Sequence, residues 1–107
     1  MANFLQMMQK AQTFKSKMQE MQARVQDIEL TGTAGGDLVT CRVNGRFEVR
    51  SLKISPSIIK AGDAEIMEDM IIAALNDART KAEQLMADET RKVMQDAGLP
   101  PGLDLPF

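Results

Sequence analysis

Lys10, Lys15 and Lys17 are the only charged side chains among the first 19 residues, and the polar positions around them include Gln6, Gln9, Gln12 and Gln19. Ammonium groups without neighbouring carboxylates suit electrostatic contact with a polyanion, and the amides add neutral donors for phosphate or base edges. Bond-breaking chemistry finds less support. The chain has no His, Trp or Tyr and one Cys, so it lacks the commonest general base and the thiol set of a zinc site. Adjacent Glu68 and Asp69 are read as acids near a helix start, where they complement the dipole. Gly35-Gly36 is an isolated pair, a turn signal rather than a phosphate cradle. Cys41, in an alternating run, reads as a small buried hydrophobe. No metal, cofactor or catalytic residue is expected, and the chain is not read as an enzyme.

Charge is segregated along the sequence. Residues 1–19 carry +3, 20–37 carry −3, 38–60 carry +4 and 61–107 carry −6, giving the net −2. An acidic balance argues against a generic nucleic-acid binder. Its segregation restores the possibility, because basic groups gather on the opening segment and at Arg42, Arg46, Arg50 and Lys53. Two copies of a cationic arm would engage phosphates together.

The opening segment must be a helix. Phe4, Met7, Ala11, Phe14, Met18, Met21, Val25 and Ile28 recur at steps of three and four, a spacing that keeps one apolar seam facing a partner along an α-helix. The seam predicts a helix from about residue 3 to about 28. The stretch from Thr31 to Asp37 then brings turn formers and β-branched residues, with a first strand at Glu29 to Thr33. Apolar residues alternate at Val39, Cys41, Val43, Phe47 and Val49, with Asn44-Gly45 marking a hairpin. A two-residue loop would put Val43 opposite Arg46. A three-residue loop over 43–45, with Gly45 left-handed, instead pairs Cys41 with Phe47 and Val39 with Val49, and is preferred. The phase change to Leu52 and Ile54 predicts a bulge near Arg50-Ser51. Pro56 closes the strand, and one helical turn is possible at Ser57 to Lys60.

Asp63 as N-cap, with Gly98-Leu99-Pro100-Pro101 as stop, predicts a second long helix over about 64–97. Its stripe includes Met67, Met70, Ile71, Ala74, Leu75, Ala78, Ala82, Leu85, Met86, Val93 and Ala97, the alanines allowing a neighbour to approach closely. Residues 1–98 form one domain. The tail, 99–107, carries three prolines and is expected to run extended, either as a spacer or, as favoured here, docking Leu103, Leu105 and Phe107 on the dimer. Helices of roughly 38 and 50 Å overhang strands of about 20 Å, so the projecting ends must pair with each other or with a second chain. Candidate packing residues are Met7, Phe14, Met18, Met21, Val25, Leu85 and Val93. The fold class is α+β: an α-β-β-β-α protomer with a three-stranded antiparallel sheet and two long helices, in a homodimer with projecting arms. No signal-peptide or membrane-spanning pattern is present in the sequence, and a cytoplasmic location is expected.

The order of motifs resembles the YbaB/EbfC family of bacterial nucleoid-associated proteins. The resemblance rests on the Gln- and Met-rich opening, Thr33-Ala34-Gly35-Gly36, Val43-Asn44-Gly45, Leu52-Lys53-Ile54-Ser55-Pro56-Ser57, the run from Glu68 to Ala78, and the ending Leu99-Pro100-Pro101-Gly102-Leu103 with Leu105-Pro106-Phe107. It implies a tweezer-like homodimer, association with the nucleoid, and duplex DNA bound mainly through its backbone, with a role in chromosome organisation or gene expression. No short contact motif defines the family, so the DNA-binding candidates are basic residues on the expected arms: Lys10, Lys15, Lys17, Arg24, Arg79, Lys81, Arg91 and Lys92. The alternative is a homodimeric adaptor whose Met-lined arms clasp a replication, recombination or chaperone protein.

Overall fold

The computed structural model describes residues 3–99. Along the chain run α1 (Asn3–Gln26), β1 (Glu29–Ala34), β2 (Val39–Asn44), β3 (Val49–Ile54), α2 (Pro56–Ala61) and α3 (Ala64–Asp96). The strands form one antiparallel sheet in the order β1-β2-β3. The six-residue α2 links β3 to α3, where the sequence allowed one helical turn. It begins where Ser55 accepts the Ser57 N–H and Pro56 supplies a preset φ at the first helical position. Of the expected tail only Leu99 is described; the rest, Leu103, Leu105 and Phe107 included, lies outside the described residues.

Caps define α3. Asp63 Oδ1 accepts the Ile66 N–H at 3.1 Å, satisfying one orphan donor of the first turn. At the other end Gly98 takes φ 74°. Gly98 N–H then donates to Gln95 O at 3.1 Å, and Leu99 N–H to Met94 O at 2.9 Å, the paired bonds of a Schellman motif.

α3 serves two hydrophobic clusters in succession. Its first half lies over β1 and β2, where Ala74, Ala78 and Ala82 meet Val39, Cys41 and Val43, all fully or almost fully buried. The alanines permit close contact, and Gly32 makes it closer still. A Cβ on Gly32 would overlap the Ala74 carbonyl oxygen and the Ala78 nitrogen. The second half pairs with α1, burying Phe14, Met18, Met21 and Val25 with Val93 and Ala97, while Leu85, Met86, Met94 and Leu99 pack around them. Half of the opening seam is thus covered within one chain. Met7, an expected packing residue, is not: it is 66% exposed, beside Phe4 at 72%. This uncovered end reaches past the last turn of α3, and the molecule extends 70 Å along its longest axis.

The hairpin differs from expectation by two residues. The loop has three residues, as parity required, but they are 45–47: Asn44 N–H donates to Glu48 O and Phe47 N–H to Asn44 O, both at 3.0 Å. Phe47, not Gly45, is left-handed, at φ 57°. The expected pairs Cys41–Phe47 and Val39–Val49 are therefore replaced by Val43–Val49, Cys41–Leu52 and Val39–Ile54, with a register break between Arg42 and Val43 that leaves the extra residue at Arg50. Asn44 dictates the shift. Its side chain, 2% exposed, accepts the Arg46 and Glu48 N–H groups at 3.0 and 2.9 Å and donates to the Glu48 carboxylate at 2.6 Å. Gly45 is small for another reason: its N–H donates to Val25 O at 2.9 Å, and a Cβ there would lie 2.5 Å from that same oxygen. The loop thereby caps the C-terminus of α1.

Candidate nucleic-acid interface

The opening lysines are carried by a helix whose polar positions follow from its spacing. Lys10 and Lys17, seven residues apart, lie on one flank of the apolar seam, about 10 Å apart along the axis. Lys15 is roughly 140° around the helix from Lys10 and lies on the opposite flank. Uncharged Gln9, Thr13 and Ser16 occupy the back. The lysines of the expected arm therefore form two cationic flanks bordering one seam. Among the described residues Lys10, Lys15 and Lys17 take part in no ion pair.

The other five candidates are held by acids. Arg24 reaches from α1 to Glu89 of α3, Nη2 to Oε2 2.7 Å, and Lys92 approaches the second oxygen of the same carboxylate at 3.5 Å. The Arg24 guanidinium, with Lys92 adding to it, holds the Glu89 carboxyl below the usual glutamate range. Arg79 pairs with Glu83 at 2.9 Å, and Arg91 with Asp88 at 3.3 Å. Lys81 pairs with Asp77 at 3.3 Å and donates to the Thr31 carbonyl at 2.7 Å. These acids are spaced one turn from their bases, so α3 neutralises its own positive charge.

Lys81 and Asp77 have a further consequence for the sheet. β1 is an edge strand, and its outward N–H at Thr33 donates to Asp77 Oδ2 at 3.0 Å. Helix α3 therefore closes this edge, while β3 pairs with β2 alone among the described residues. The β3 side is also bare. Val49 and Leu52 face the same side as their fully buried partners Val43 and Cys41, yet remain 53% and 43% exposed because α3 lies over the other two strands. Alternation marked these residues as apolar but could not reveal that the helix stops short of them. The hairpin cations Arg46, Arg50 and Lys53 are exposed nearby, whereas Arg42 approaches Glu29 at 3.4 Å.

Among the described residues no group of His, Cys, Asp and Glu is arranged to hold a metal ion, and no helix is long and apolar enough to cross a membrane. The sequence profile of the YbaB/EbfC DNA-binding family matches residues 1–97. A nucleoid-associated protein of Rhizobium meliloti is 44% identical over 107 residues, all of both chains. Another, from Bradyrhizobium sp., is 46% identical over 95% of this chain and 96% of its own. Among solved structures, that of an uncharacterized protein from Helicobacter pylori superposes with a TM-score of 0.62 at 27% identity, covering 69% of this chain and 86% of the other.

Proposed function

The chain belongs to the YbaB/EbfC DNA-binding family, and from that premise we propose that it binds duplex DNA as a nucleoid-associated protein, chiefly through phosphate contacts made by Lys10, Lys15 and Lys17. The observation that carries the assignment is the difference between the two helices: every candidate cation on α3 has an acid partner, whereas the three α1 lysines have none among the described residues. An unpaired ammonium can neutralise a phosphate without first giving up an ion pair. Contacts of this kind position a protein on the duplex without reading bases, which suits coating of a chromosome and modest influence on the genes beneath.

A homodimer completes the reading. Its support is the exposed apolar strip Val49–Leu52 beside the open β3 edge, since an uncovered edge strand with apolar neighbours favours pairing with another chain. Two protomers joined there would carry two α1 arms, and simultaneous engagement multiplies affinity by about 10²–10⁴ where the geometry allows it.

A duplex titration over a range of salt concentrations tests the DNA assignment. Wild-type affinity falls with salt, with a logarithmic slope of about −0.9 for each phosphate neutralised. The Lys10→Ala/Lys15→Ala/Lys17→Ala variant binds more weakly with a shallower slope. The Arg79→Gln/Arg91→Gln variant retains wild-type binding. Unchanged affinity in the lysine variant, with the fold intact, refutes the assignment.

A further inference from the structure

We propose that the tip of α1 binds the start of α3 on a second copy of this chain, so that copies join end to end. The tip is apolar and bare. Phe4, Leu5, Met7 and Met8 are all exposed, and the spacing of Phe4, Met7, Met8 and Ala11 extends the seam that α3 covers further along at Phe14 and Met18. Contiguous apolar side chains of this kind mark an interaction surface. Lys10 and Lys15 border the stripe, and no acid occurs in residues 1–19.

A second bare surface carries the opposite charge. On the outer side of α3, away from Ala74 and Ala78, Ile66 and Ile72 are 53% and 55% exposed, with Glu65, Asp69 and Ala73 exposed between them. Residues 55–78 hold five acids and one base, Lys60. Of these acids Asp63 caps α3, and Asp77 serves Thr33 and Lys81. Glu65, Glu68 and Asp69 enter no ion pair among the described residues, and neither do Lys10 and Lys15.

Position decides the occupant. α1 runs back along α3, with the Lys10 side chain reaching Gly98. Ile66 lies about 48 Å along α3 from that point, and Phe4 about 9 Å beyond it in the other direction. One chain cannot bring its own two surfaces together. Tip against tip would oppose lysine to lysine, and start against start carboxylate to carboxylate, which Coulomb repulsion disfavours. Tip against start matches apolar with apolar and ammonium with carboxylate. The contact is heterologous: each one leaves a free tip at one end and a free start at the other, so copies keep adding. Two short helical segments bury much less than the roughly 1,600 Å² of a stable interface, so the contact forms where copies are crowded. Lys10 and Lys15 then serve either a neighbour or a phosphate. The test therefore uses the protein without DNA, and its outcome is separate from that of the DNA assignment.

Light scattering of the full chain at rising concentration is the test. The wild-type average mass should climb about twofold or more above its value at dilution, as open-ended addition allows, and high salt should suppress the climb. Lys10→Glu/Lys15→Glu and Glu65→Lys/Asp69→Lys should each stay at the dilute mass, because each sets like charges against one another. Mixed in equal amounts they should climb again, since each tip then meets a start of opposite sign. A wild-type mass that does not change with concentration overturns the proposal. So does a climb that persists in either variant alone, or a mixture of two folded variants that fails to associate. Met7→Asp, at an exposed site beyond the reach of α3, decides the matter even where a charge variant folds poorly. It should abolish the climb, and a climb at the wild-type level overturns the proposal equally.

Discussion

Asp77 of α3 accepts the Thr33 backbone N–H at 3.0 Å, so a helix side chain occupies the hydrogen-bonding edge of β1. Lys81, one turn on, takes the Thr31 carbonyl on the same edge. These two contacts cover part of the β1 edge, whereas the β3 edge has no such cover among the described residues.

The same contact makes stability depend on pH. The Thr33 N–H, with Lys81 beside it, holds the Asp77 carboxyl below the usual aspartate range. A carboxyl with a depressed folded-state pKa stabilises the fold above its unfolded value near 4, and this contribution is lost as pH falls through the lower folded value. Asp77→Asn should therefore melt at a lower temperature than wild type at pH 7, and the gap should narrow steadily toward pH 3. Thermal melts by circular dichroism at several pH values measure it.

Gly32 fixes how closely α3 approaches the sheet. Gly32→Ala forces a methyl into the Ala74 carbonyl and the Ala78 backbone, and overpacking of this type costs about 1–3 kcal/mol. A melting temperature lower by several degrees is expected, because about 1 kcal/mol corresponds to roughly 4–8 °C in a domain of this size. Unchanged melting would mean that the helix yields without cost.

Removing the Asn44 side chain strands two N–H donors of the hairpin loop. Asn44→Ala should destabilise by about 1–3 kcal/mol, since it removes hydrogen bonds worth about 0.5–1.5 kcal/mol each. Chemical denaturation should show this cost, while Asn76→Ala, at an exposed site, changes the midpoint little.

Leu52→Lys places a charge in the exposed strip of β3. Sedimentation should then show a protomer where wild type shows a dimer, and duplex affinity should fall by about 10² or more as the second arm is lost. A dimeric Leu52→Lys protein would exclude this face as the interface.

Local signals made much of the fold readable. Asp63 and Gly98 bracket α3 because capping depends on neighbours in sequence, and the alanine stripe signals the close neighbour that Gly32 supplies. The hairpin was displaced because strand alternation cannot register that Asn44 bonds to three groups of its own loop, or that Phe47 accepts the left-handed conformation usually left to glycine. The closed β1 edge was illegible, since Thr33 and Asp77 are 44 residues apart. For the cationic site, composition found the lysines, but only three-dimensional pairing separated Lys10, Lys15 and Lys17 from bases already matched with acids.

Because α3 is one uninterrupted rod shared by head and shaft, its seat on the sheet acts as the pivot of a lever. From Ala74 to Asp96 the rod runs about 33 Å, so a tilt of 10° at the alanine contact swings the far end by roughly 6 Å. Small substitutions beneath α3 would therefore change the reach of α1 far more than they disturb the contact itself.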